Sequence, residues 1–244
     1  MIKRGISVSL VLVLLVLITG CSQSSPNPNY GPQDNTADGR VVFTISDPGG
    51  NLTSVTSVKI TVDEISVHSV EKSWINVSNT EKTYDLLELK NDNNEVLLAD
   101  TQIEEGTYTQ VRLHIKSVVV MDADGNHEAK LPSNELKIIG DLNVAANTTS
   151  SVKFDFIVDE SLHVTGNGEY ILAPVVEFET TEDADDIKID NEDKVEVMGG
   201  NSKGKVKVGM DENGMVGVGL GISDDLNLTI GSDNKIKINP PGLY

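Results

Sequence analysis

The sequence predicts an all-β protein: an antiparallel Greek-key β-sandwich over residues 40–180, followed by a small C-terminal β-meander over residues 187–244. Three observations carry this. Apolar residues alternate with polar ones along most of the chain, β-branched side chains dominate those runs, and long segments of helical period are absent. Turn chemistry falls between the runs, as Asp124-Gly125-Asn126, Gly166-Asn167-Gly168 and Asn213-Gly214. Asp-Gly and Asn-Gly tolerate the positive φ of tight hairpins.

In chain order, Val41, Phe43 and Ile45 share one parity, and Asp47-Pro48-Gly49-Gly50 breaks the run. Val58, Ile60 and Val62 alternate next, and after Asp63-Glu64 the apolar parity flips to Ile65 and Val67. A one-residue slip inside a strand pattern predicts a bulge. Val111, Leu113 and Ile115 repeat it, with Val118 and Val120 on the opposite parity after Ser117. Val152, Phe154, Phe156 and Val158 form another strand, and Val164, Tyr170, Leu172, Val176 and Phe178 complete the sandwich set. Tyr84 to Leu89 suits either a helical turn or a strand. Ile103-Glu104-Glu105-Gly106-Thr107-Tyr108 has the layout of a tyrosine corner, in which a phenol caps backbone groups where the chain crosses between sheets.

The N-terminus reads as an address. Lys3 and Arg4 precede an apolar run from Ile6 to Ile18, and Thr19-Gly20-Cys21 closes it. Residues 1–20 are thus expected to be a signal peptide, too short for a comfortable membrane span. Ile18-Thr19-Gly20-Cys21 resembles the lipobox of prokaryotic lipoproteins, although Ile18 stands where that pattern prefers Leu. The resemblance implies cleavage before Cys21 and attachment of a diacylglycerol to its sulfur. Two acyl chains, at about 0.8 kcal/mol for each buried methylene, anchor stably. Residues 21–39 then read as the lipidated cysteine and a flexible Ser, Pro, Asn and Gly spacer, which at 5–6 Å times the square root of its length reaches about 25 Å from the bilayer. The expected location is the extracytoplasmic face of the cell membrane.

Composition narrows the partners. The 244 residues carry 19 basic and 38 acidic side chains, a formal charge of −19. Loss of Lys3 and Arg4 with the signal leaves 17 basic against 38 acidic residues, or −21. Such a surface repels nucleic acid and anionic lipid faces. One cysteine permits neither an internal disulfide nor a thiolate metal cluster.

Several segments together resemble a known family. Thr83-Tyr84-Asp85-Leu86-Leu87-Glu88-Leu89, Leu97-Leu98-Ala99-Asp100 and Gly106-Thr107-Tyr108-Thr109-Gln110-Val111-Arg112-Leu113 are followed by Leu136-Lys137-Ile138 and Phe154-Asp155-Phe156. Val164-Thr165-Gly166-Asn167-Gly168-Glu169-Tyr170-Ile171-Leu172-Ala173-Pro174-Val175 closes the series. In this order they resemble the domain of unknown function DUF4382, over about residues 40–180. The resemblance implies a transthyretin-like or prealbumin-like sandwich in prokaryotic surface lipoproteins. It implies no reaction and no catalytic residues.

Beyond an acidic boundary at Glu182 to Asp186, five short alternating runs lie near Val195, Val206, Val216, Leu226 and Ile236. They are expected to pack one apolar face against another element. Gly217, Gly219 and Gly221 require either a close approach of another element or a sharp bend, and Lys203, Lys205 and Lys207 would guard strand edges.

Candidate chemistry is sparse. No Gly-x-Ser-x-Gly elbow, His-Glu-x-x-His or phosphate loop occurs, and no nucleophile has a local base. No catalytic residue and no cofactor is expected. Asp122, Asp124, Asn126 and Glu128 alternate through a loop and offer hard oxygen ligands to calcium, but Gly125 comes two places early for a calcium loop, and Ser133 stands where the bidentate Glu belongs. The same stretch serves equally as a metal-free hairpin. Arg112, His114 and Lys116 share a strand face and could hold an anionic ligand, or could form a solvated face paired with acidic neighbours. Trp74, the single tryptophan, reads as core packing at a strand edge. The expected function is a non-enzymatic, lipid-anchored envelope module that binds an unidentified protein or glycan partner or supports the envelope. The alternatives are a carbohydrate- or small-solute-binding protein and, third, an envelope hydrolase using carboxylates.

Overall fold

The computed structural model describes residues 37–239, apart from 48, 50, 51, 93, 94, 224 and 225 and the side chains of 90–92. The signal segment, Cys21 and most of the spacer lie outside the described residues. Alternation becomes strand nearly wherever it was read. The elements run β1 (Asp38–Ser46), β2 (Val55–Ser69), β3 (Ser73–Ser78), β4 (Lys82–Asp85), α1 (Leu86–Asp92), β5 (Val96–Glu104), β6 (Gly106–Asp122), β7 (Gly125–Glu128), β8 (Glu135–Val144) and β9 (Thr149–Phe156). There follow α2 (Val158–Ser161), β10 (Leu162–Val164), β11 (Tyr170–Leu172), β12 (Val175–Glu182), β13 (Asp186–Ile189), β14 (Val195–Met198), β15 (Asn201–Met210), β16 (Val216–Gly217), β17 (Asn227–Ile230) and β18 (Ile236–Asn239).

Two six-stranded sheets make an all-β sandwich. The first has the order β16-β15-β12-β9-β1-β5. The second runs β3-β2-β6-β7, with β4 beside β3 along β2 and β8 beside β7 along β6. The parity flips mark bulges: the β2–β6 register slips at Val62/Glu64, and Val62 and Thr61 pair with Ile115 and Ser117, which leaves Lys116 over. The inward sets interdigitate into one core. Phe43, Phe154 and Phe156 are fully buried there, and Phe154 meets the Phe178 ring edge-on at 5.7 Å. Gly140 of β8 lies against that ring, where an added Cβ would come within 2.6 Å of it.

The crossing from the first sheet to the second is a tyrosine corner. β5 ends at Glu104, β6 begins at Gly106, and the buried Tyr108 hydroxyl donates to the Glu104 carbonyl at 2.8 Å. Tyr84 to Leu89 is divided between the two expected states. Strand β4 ends at Asp85, whose carboxylate accepts from the Leu87 amide at 3.1 Å and the Val58 amide at 3.2 Å. That cap starts α1, which turns Leu86 and Leu89 into the core.

Four features depart from the expectations. β1 and β9 pair in parallel, while every other pair of strands among the described residues is antiparallel. Val158 opens α2 instead of extending β9, because the Ile157 amide turns to the Val175 carbonyl at 2.9 Å. Trp74 lies half-buried on the outer face of the edge strand β3, outside the core. The C-terminal strands form three separate hairpins, and β15 joins the first sheet by pairing with β12. The β13–β14 hairpin covers the outer face of β1, burying Val42 with Ile187 and Val195. At the triple-glycine stretch the chain bends: Gly219 has φ +72°, and a Cβ on Gly209 would meet the Leu220 carbonyl oxygen at 2.0 Å. Lys203, Lys205 and Lys207 pair with Glu182, Glu177 and Glu160 at 2.9, 3.1 and 2.6 Å.

Candidate functional site

The basic stripe on β6 is neutralised where it stands. Arg112 reaches Glu135 at 3.2 Å, His114 Nδ1 lies 2.5 Å from Asp63, and Lys116 pairs with Glu81 at 2.6 Å. Arg112 also stacks on the Trp74 ring, its Cζ 4.0 Å from the centroid, and His68 meets Trp74 edge-on at 5.1 Å. Arg112 pairs across the sheet with Ser66, which is buried although it faces outward. The stripe is therefore a paired outer face, and an anion there would have to displace a carboxylate from each cation.

The four proposed calcium ligands sit on the β6–β7 hairpin. Both oxygens of Asp122 are committed. Oδ1 accepts from the backbone amides of Asp124 (2.8 Å) and Gly125 (3.2 Å), closing the turn, and from His127 Nε2 (2.9 Å). Oδ2 accepts from the Tyr170 hydroxyl at 2.7 Å. The Tyr170 bond, with the Asp124 amide and His127 behind it, holds the Asp122 carboxyl down to about 2, against the opposing effect of burial. The same bond pushes the Tyr170 phenol up to about 12. Because Asp122 is an acceptor only, His127 must carry its proton on Nε2, which leaves Nδ1 with a free lone pair in the neutral ring. Asp124 stands exposed at the turn. Among the described residues no group of three or more His, Cys, Asp or Glu is arranged to hold a metal.

The hairpin borders a cleft of about 590 Å³ built from three turns. β7 supplies Asn126, His127 and Glu128; the β10–β11 turn supplies Asn167 and Glu169; the β17–β18 turn supplies Asn234. Backbone bonds lace the turns together. The Lys130 amide donates to the Tyr170 carbonyl at 2.8 Å, the Leu172 amide returns to Lys130 at 2.8 Å, and the Gly166 amide reaches Leu228 at 3.4 Å. Thr165 and Asn167 pin the middle turn, with Asn167 Nδ2 donating to Glu169 at 2.7 Å. The His127 and Tyr170 rings lie 5.6 Å apart along one wall.

His127 oriented by Asp122 has the tautomer of a general base. Ser, Thr and Cys are absent from the described lining of the cleft, so no hydroxymethyl or thiol side chain stands there for the base to activate. Asn126 and Glu128 were legible as oxygen-bearing residues on a hairpin. Tyr170, Asn167, Glu169 and Asn234 were missed, because each belongs to a hairpin far along the chain from β7, and only the tertiary fold brings them to it.

Among the described residues no helix is long and apolar enough to cross a membrane. No curated protein and no solved structure matches the chain. Residues 38–174, more than half of the chain, match the family described as Domain of unknown function (DUF4382). The match ends one residue before β12 begins, although β12 is central to the first sheet. The sandwich strands β1 to β9 and two of the three turns around the cleft lie within the match, and the chain belongs to the DUF4382 family.

Proposed function

We propose that this protein is a lipoprotein, held through Cys21 on the extracytoplasmic face of the cell membrane, whose sandwich works by binding and not by catalysis. The observation that carries the tether is the N-terminal series of Lys3-Arg4, the apolar run and Thr19-Gly20-Cys21, with the sequence's lone thiol at the cleavage point. Two features support binding over turnover. The chain offers a cleft of small-molecule size, about 590 Å³, within the range usual for ligand sites, and that cleft has no Ser, Thr or Cys among its described lining residues. A strongly acidic domain on a spacer suits an envelope protein or glycan as partner, and not nucleic acid.

The test is metabolic labelling with palmitate and mass spectrometry of the protein recovered from its own membranes. The expected product begins at a diacylglycerol-modified Cys21, and Cys21→Ala leaves an unlabelled, uncleaved precursor. A mature protein with an unmodified thiol, or one still joined to residues 1–20, contradicts the tether. Turnover of a glycoside, peptide or ester that is abolished by His127→Ala contradicts the non-catalytic reading.

A further inference from the structure

The polar side chains around the hairpin-end cleft are unusually idle for this protein. On the sheet faces, lysines 82, 116, 153, 203, 205 and 207 each have a carboxylate within 4 Å. At the cleft the side chains of Asn126, Glu128, Lys130 and Asn234 form no hydrogen bond or ion pair with any described residue, although all four line one concavity. The backbone of β7 and of the turns fixes where these side chains start, and a ligand that meets them must order the side chains themselves.

The charged lining of the cleft is small: Glu128 and Glu169 stand with Lys130, and the remaining polar lining is imidazole, amide and phenol. A ligand of net charge would leave part of this set unpaired, and an anion would also enter against a chain of −19. Hydroxyl groups donate and accept at once, which matches a lining of carboxylate acceptors and two-way amides. The ring of His127, about a third exposed, adds a flat wall for the face of a sugar ring.

We infer that the cleft between the β6–β7, β10–β11 and β17–β18 turns binds a neutral, hydroxyl-rich ligand of mono- or disaccharide size. This rests on the binding-module reading above and gives it a ligand class. The anionic ligand suggested by Arg112, His114 and Lys116 belongs to a different place, since Arg112 lies about 30 Å from the hairpin along the rise of β6.

The experiment is calorimetric titration of the full-length chain in detergent with glucose, galactose, N-acetylglucosamine, maltose and cellobiose, and with glucuronate as the anionic and glucosamine as the cationic counterpart. At least one neutral sugar should bind saturably and the charged compounds should not. Asn234→Gly keeps the backbone at ease, because Asn234 already has φ +58°; it and Glu128→Ala should each weaken binding about tenfold by removing a direct hydrogen bond. Thermal unfolding of both variants should match the parent, and Trp74 emission should not respond to sugar. Tighter binding of glucuronate or glucosamine, neutral-sugar binding that survives both variants, or a sugar-dependent change in Trp74 emission would each overturn the inference. Absence of any binding at millimolar sugar overturns it as well. In that case an envelope partner co-purifying with the wild-type chain would leave the binding module standing, and loss of both would end that reading too.

Discussion

Strand β6 carries two polar regions that solve opposite problems. Near its middle, Arg112, His114 and Lys116 each have a carboxylate within 3.2 Å, and Arg112 is further stacked on Trp74. At its far end Asp122 gathers two amides, His127 and Tyr170, and this organised turn presents neighbours whose own side chains are unspent. Pairing on the open face keeps a highly acidic domain from repelling itself locally, and each exposed pair contributes little stability. The turn end is different, because its bonds hold the frame and leave Asn126, Glu128, Lys130 and Asn234 on the rim unpaired. The contrast separates polar groups that maintain a surface from polar groups available to a ligand.

Both regions stand on the same core, so the largest effect strikes them together. Phe154→Ala should cost about 3–5 kcal/mol in chemical denaturation, and amide exchange should rise equally at the stripe and at the cleft. Tyr108→Phe removes the phenol bond to Glu104 and should cost about 1 kcal/mol, with increased exchange at the sheet crossing near Glu105. Arg112→Ala should cost about 1 kcal/mol or less, mainly the stacking on Trp74, and should shift Trp74 emission without touching the cleft.

The pH dependence sharpens the contrast at the other end. Asp122 is held down to about 2 when folded, chiefly by Tyr170. Its contribution is therefore complete above its ordinary carboxylate range near pH 4 and is lost as pH falls through about 2. The difference in melting temperature between the parent and Asp122→Asn should be largest near neutrality and should close on acidification toward about pH 2. Asn234→Gly should have the smallest effect, leaving the melting temperature unchanged.

Much of the sandwich was legible because local rules and the fold agree. The parity flips at Asp63-Glu64 and Ser117 became bulges on facing strands, and the Gly106-Tyr108 spacing became a phenol cap on Glu104. The parallel β1–β9 pair was not legible, since alternation describes which face a residue takes and not which strand lies beside it. For the same reason β15, with its mostly exposed first half, gave no sign that it would pair with β12. The cleft was hidden most deeply. Each of its turns could be read separately, but their meeting depends on bonds such as Lys130 to Tyr170 and Gly166 to Leu228.

The central claim is that ligand binding belongs to the turn end of β6 and not to its charged middle. Amide chemical-shift mapping of the full-length chain with a neutral disaccharide tests it directly. The account predicts perturbations at Asn126, His127, Glu169 and Asn234, and none at Ser66, Trp74 or Arg112. Perturbations confined to Arg112 and Trp74, with the three turns silent, would contradict it.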